Sequence, residues 1–183
     1  MRIRSFTSIV FGLMLAASAG AQELVVNGGF ETGDLTGWSL GNDASAFVGT
    51  YAPHSGTYEL KLTPGSSTNE AYQVLATTPG DEYDISIWLF HDGGDSTSNS
   101  VAMDWNGSAI PGSPTVLQPS TGWVDYTYEL SASTSATTIA ITAHDPLGNI
   151  YLDDVSVKPA PEPATIIGLG LGAAALSRRL RRR

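Results

Sequence analysis

The chain has 183 residues, no cysteine, and 18 acidic against 9 basic side chains. A domain built from it has no disulfides to rest on and must stand on its core or on a metal. The acidic balance excludes nucleic acid as a partner and disfavours anionic lipid surfaces, because like charges repel.

In chain order, Arg2 and Arg4 precede the apolar run Ile9 to Ala17, and Ala19-Gly20-Ala21 places small residues before Gln22. That pattern predicts an export signal over residues 1–21, too short for a comfortable membrane span and removed from the mature chain. Residues 22–160 then form one domain with room for its own core. Its only basic residues are Lys61 and Lys158, against seventeen acids, so its net charge is 2 − 17 = −15.

This domain reads as all β. Apolar residues alternate with period 2 in short runs, bounded by Gly, Pro, Asn and Ser, and no window carries a helical stripe. In Glu82 to Phe90, Tyr83, Ile85, Ile87 and Leu89 take one face while Asp84, Ser86, Trp88 and Phe90 take the other. Val101, Met103 and Trp105 alternate up to Asn106-Gly107, a strong hairpin signal. Thr137, Ile139, Ile141 and Ala143 form a third such set. Further strands are expected at Glu23 to Val26, Ser45 to Tyr51, Thr57 to Leu62, Ala71 to Thr77, Trp123 to Leu130 and Asn149 to Val157. Nine or ten short antiparallel strands, each with one aliphatic face, predict a two-sheet β-sandwich. The Ser/Gly-rich stretches Gly65 to Asn69 and Gly93 to Ser100 read as mobile loops.

Pro161-Glu162-Pro163 ends the domain, since proline fixes φ and biases its neighbour to extended conformations. Residues 164–176 carry no charge, and Arg178, Arg179, Arg181, Arg182 and Arg183 follow. As a helix this run spans about 20 Å, short of the ~30 Å hydrocarbon core. It suits a transient transmembrane helix held by cytoplasmic arginines. A helix pairing through Gly168 and Gly172 would leave Pro-Glu-Pro unexplained. The three parts over residues 161–183 resemble the PEP-CTERM sorting signal of Gram-negative bacteria. The resemblance implies passage through the export machinery and transient inner-membrane insertion. It further implies recognition and cleavage by an exosortase near Pro161-Glu162-Pro163, with Arg178 and Arg179 as the cytoplasmic stop, and release to the cell surface or extracellular matrix.

Leu24 to Gly33 (LVVNGGFETG), Thr36-Gly37-Trp38, Tyr58 to Leu62, Tyr83 to Trp88, Thr121-Gly122-Trp123 and Tyr151 to Val157 (YLDDVSV) resemble the jelly-roll carbohydrate-binding modules attached to xylanases and related glycoside hydrolases. The resemblance implies that the first and last strands lie together, with a structural calcium ion between matching acids. Here those are Glu31, Asp153 and Asp154. Calcium takes hard oxygens, and converging carboxylates repel one another unless a cation lies between them. By parity Asp153 shares the inward face of Val155 and Val157 and is the better ligand, whereas Asp154 points outward unless the strand is bulged. Turn-capping is the plainer role for all three.

Trp88 and Phe90 sit opposite the aliphatic face, where rings can stack on sugars, with Asp84, Ser86, His91 and Asp92 as a polar rim. Trp38 and Trp123 are expected in the core, and His54, His91 and His144 at the surface. No nucleophile elbow is present, and Glu31, Glu59 and Asp104 are the acids a glycoside hydrolase reading would use. The leading expectation is a non-catalytic exported protein that binds extracellular polysaccharide. A structural matrix protein without specific glycan binding is the alternative, and a hydrolase comes third.

Overall fold

The computed structural model describes residues 21–42, 45–62, 68–93, 99–114 and 122–161. The export signal, apart from Ala21, and Glu162, Pro163, Arg178 and Arg179 of the sorting tail therefore lie outside the described residues, as do the centres of both Ser/Gly-rich loops. Pro161 is described and is exposed.

Ten strands follow in chain order: β1 (Ser39–Asn42), β2 (Phe47–Gly49), β3 (Glu59–Leu62), β4 (Asn69–Ala76), β5 (Glu82–His91), β6 (Ser100–Trp105), β7 (Ser108–Ala109), β8 (Val124–Ser131), β9 (Ala136–His144) and β10 (Ile150–Pro159). They form two five-stranded antiparallel sheets in the orders β1-β4-β9-β6-β7 and β2-β3-β10-β5-β8. The two-sheet sandwich expected from the periodicity, with the jelly-roll form that the resemblance implies, is the fold observed.

The core lies between the sheets and follows the alternation. Tyr83, Ile85, Ile87 and Leu89 of β5, Val101, Met103 and Trp105 of β6, and Ile139, Ile141 and Ala143 of β9 are all buried. Full burial of each large aliphatic side chain contributes roughly 1.5–3 kcal/mol. Asn106 and Gly107 both have positive φ, 53° and 76°, and join β6 to β7 in the tight turn their pair signals.

Three expectations fail locally. Glu23 to Val26 is not a strand: only Leu24 N–H reaches Val157 O, at 2.9 Å, while Val26 bonds the side chain of Gln73 instead. β1 forms where no alternation announced it, because four residues after the buried Trp38 pair with β4. Trp123 is not core. It lies just before β8, and its indole N–H donates to Ala52 O at 3.0 Å across the outer face.

Candidate functional site

Among the described residues, the expected ring and rim side chains, His91 excepted, gather on the outer face of the β2-β3-β10-β5-β8 sheet. Period 2 places Trp88 and Phe90 there, each half-buried. Loop residues then cover them. The His54 ring stacks on Trp88 with centroids 3.7 Å apart, and Phe90 lies 5.8 Å from Trp123 and 5.6 Å from Tyr151. Tyr51 stacks on Tyr151 at 5.7 Å, and Lys61 Nζ lies 5.8 Å from the Phe47 and Tyr151 ring centroids. A band of rings thus crosses the sheet from Trp88 through His54, Trp123, Phe90 and Tyr151 to Tyr51, and Lys61 lies between Tyr151 and Phe47.

Shallow grooves flank this band. One, of about 490 Å³, is lined by Asp84, Ser86, Thr127, Glu129, Ser156 and Lys158. The other, of about 680 Å³, includes Phe47, Tyr51, Glu59, Lys61, Asp92 and Tyr151. The expected rim is therefore divided. Asp84 and Ser86 line the first groove, with Ser86 donating to Asp125 at 2.7 Å. Asp92 lines the second and accepts from Asn149 N–H, Asn149 Nδ2 and Tyr151 OH at 2.8–3.0 Å. Burial acts to raise the Asp92 carboxyl, but these hydrogen bonds and the Lys61 charge outweigh it and hold the group below its usual value. Burial first, then the bond to Asp92, pushes the Tyr151 phenol well above the ordinary tyrosine range.

His91 is not a rim residue. As the last residue of β5 it points inward, and its Nε2 lies 2.7 Å from Asp145 Oδ2, with both side chains 1% exposed. The expectation that all three histidines are surface residues fails here, because alternation carries His91 onto the core face. Glu59 and Asp104 do not share a cleft either. Glu59 sits on the outer side of one sheet and Asp104 on the outer side of the other.

The acidic cluster is built by an irregularity. β10 slips register between Asp153 and Ser156, with Asp154 at φ 44°. The bulge reverses the parity expected from sequence. Asp153 shares the outer face with Tyr151, not the inner face of Val155 and Val157, and is fully buried only because residues 52–56 close over it. Its Oδ2 accepts from the N–H groups of His54 and Ser55 at 2.8 and 3.2 Å, and Oδ1 from Asp154 N–H at 2.7 Å. Burial, helped by the Asp154 charge, pushes its carboxyl up to about 6 despite these donors. Asp154 accepts from His54 Nδ1–H at 2.7 Å and from Ser55 Oγ–H at 3.0 Å. Glu31 Oε1 accepts from Thr57 and Tyr58 N–H at 2.9 Å each.

The Asn27-Gly28-Gly29-Phe30 stretch explains this arrangement. Gly28 O accepts from Val155 N–H at 3.0 Å, and a Cβ at Gly28 would overlap Val155 O. A Cβ at Gly29 would lie 3.0 Å from Asp154 Oδ1, 3.7 Å from Asp153 Oδ1 and 3.8 Å from Glu31 Cγ. Glycine leaves open a small space beside the Asp153 and Asp154 carboxylates, which the Glu31 side chain approaches with its Cγ. In kind these donors fit a hard cation such as calcium. Among the described residues, no three His, Asp or Glu side chains already form a metal cage.

A two-sheet jelly roll with an aromatic outer face and an acidic cluster at its first and last segments defines the class of small β-sandwich modules. The chain belongs to the carbohydrate-binding domain family, whose profile matches residues 22–149, and residues 159–183 match the PEP-CTERM protein-sorting motif. No curated protein matches the chain. Among solved structures it is similar to TmCBM61 in complex with β-1,4-galactotriose, with a TM-score of 0.57, 19% identity, and 76% of this chain and 100% of that one covered. It is also similar to the CBM22-1 xylan-binding domain from Paenibacillus barcinonensis Xyn10C, with a TM-score of 0.59, 16% identity, and 80% and 99% covered. At such identities these likenesses concern the fold.

Proposed function

We propose that the chain is an exported, non-catalytic surface or matrix protein that holds extracellular polysaccharide on the outer face of the β2-β3-β10-β5-β8 sheet. The observation that carries this reading is the aromatic band formed by Trp88, Trp123, Phe90, Tyr151, Tyr51 and Phe47 on a sheet face outside the core. Aromatic faces accept the C–H faces of sugar rings, and polar groups beside them take the hydroxyls. Family membership supports the ligand class, and the sorting motif supports exosortase-dependent delivery after a membrane-anchored step. A calcium ion between Glu31, Asp153 and Asp154 belongs to the same reading. It would offset the repulsion of the clustered acids and tie the first segment to β10, with no part in chemistry.

The test is affinity electrophoresis of the full-length chain, in mild detergent, through gels containing xylan, β-1,4-galactan, mixed-linkage glucan or mannan, with and without calcium. Retention by at least one is expected, and Trp88→Ala should weaken it. Because Trp88 is half-buried under His54, that change should also cost about 2 kcal/mol, below the 3–5 kcal/mol of a core aromatic. Failure of every polysaccharide to retain the protein favours a structural matrix protein. The cover that His54 and Trp123 place over Trp88 and Phe90 already lends that alternative support.

A further inference from the structure

The groove beside β2 and β3 contains features that a merely covered sheet does not need. Glu59 is fully buried, although its side chain lies on the outer face. Its Oε1 accepts from Tyr51 N–H at 2.9 Å, while Oε2 has no hydrogen-bond partner. A buried acceptor left unpaired is costly, and such an atom in a groove wall points to a donor arriving from outside. Lys61, two residues along β3, projects over the Phe47 and Tyr151 rings and makes no ion pair among the described residues. Tyr51 is 75% exposed and Phe47 49% exposed, so both offer ring surface to an incoming group.

Together these are one acceptor, one donor cation and open aromatic faces in a groove of about 680 Å³, within the usual range for ligand sites. A strongly anionic ligand would meet Glu59, Asp92 and the acidic domain, and a cationic one would meet Lys61. An apolar ligand would leave Glu59 and Lys61 unpaired. A neutral pyranose satisfies all of them. We infer that this groove is a sugar subsite of a neutral polysaccharide, in which Tyr51 and Phe47 take ring faces, Glu59 Oε2 accepts from a hydroxyl and Lys61 donates to a second sugar oxygen. Because Glu59 Oε2 is enclosed, a side chain of the groove wall shifts to admit the hydroxyl.

The inference rests on the polysaccharide reading above and adds the residues that choose the sugar. It is tested in the same gels with full-length Tyr51→Ala, Glu59→Gln and Lys61→Met, each checked for an unchanged thermal melt. Tyr51→Ala removes an exposed ring and leaves the core intact. Glu59→Gln keeps the side chain's shape while replacing one acceptor oxygen by a donor. Retention by the polysaccharide that holds the wild type should weaken about tenfold in Tyr51→Ala and in Glu59→Gln, and less in Lys61→Met. Retention of Tyr51→Ala and Glu59→Gln equal to wild type overturns the subsite and leaves polysaccharide binding elsewhere on the sheet. A wild type retained by none of the four polysaccharides overturns the broader reading and this one with it.

Discussion

Asp92 shows how one side chain can couple a groove to acid stability. Its oxygens hold Asn149 and Tyr151 at the start of β10, and its carboxyl lies below the usual 3.8. A carboxyl whose folded value is depressed contributes stability that is present above its unfolded value, near 4, and is lost as pH falls through the folded value. Asp92→Asn should therefore flatten the acid limb. Thermal melts between pH 2.5 and 6 should show the variant losing less than the wild type below about pH 4. Equal losses would mean that the Asn149 and Tyr151 bonds contribute no net stability. Asp84, Ser86, Trp88 and Phe90 were placed correctly on the outer face from sequence, because alternation is local to one strand. His91 obeys the same alternation, yet its partner Asp145 lies 54 residues away, so its buried bond left no local mark.

At the scale of elements, the bulge in β10 matters most. It turns Asp153 outward, where residues 52–56 bury it, and brings Asp154 over Gly29. If a calcium ion joins these acids to Glu31, adding calcium should raise the melting temperature and chelation should lower it. An ion at a hundred times its dissociation constant adds about 2.7 kcal/mol when it binds only the folded chain. Asp153→Asn should abolish that response. A melting temperature indifferent to calcium and chelator would leave the three acids as acceptors for the N–H groups of residues 54–58 and nothing more. The parity argument from sequence failed here for a definite reason. A bulge inserts one residue, and its position depends on the backbone bond between Val155 and Gly28, across 127 positions of chain.

For the whole molecule, the domain and the C-terminal tail carry separate instructions. The matched sorting motif at residues 159–183 lies beyond a domain of net charge −15, with its arginines confined to the terminus. Intact-mass measurement of protein recovered from the surface of the native host should show a chain lacking both residues 1–21 and the apolar tail. A surface species that still ends in Arg181 to Arg183 would remove the exosortase step.

Sequence by itself determined the all-β class, the two-sheet sandwich, the inward faces of β5, β6 and β9, the turn at Asn106-Gly107 and the sorting address, because each is written in neighbouring residues. Through the family resemblance it also put forward Glu31, Asp153 and Asp154 as candidate calcium ligands. Only the tertiary structure decided which way Asp153 points, that Trp123 and His54 cover the outer rings, and that Phe47, Tyr51, Glu59, Lys61 and Tyr151 share a groove. Those five come from β2, the loop after it, β3 and β10, strands that become neighbours through pairing within one sheet. Side-chain alternation reports a face within one strand. Which strands lie side by side, and which loop folds over them, is settled by the long-range pairing that buries the core.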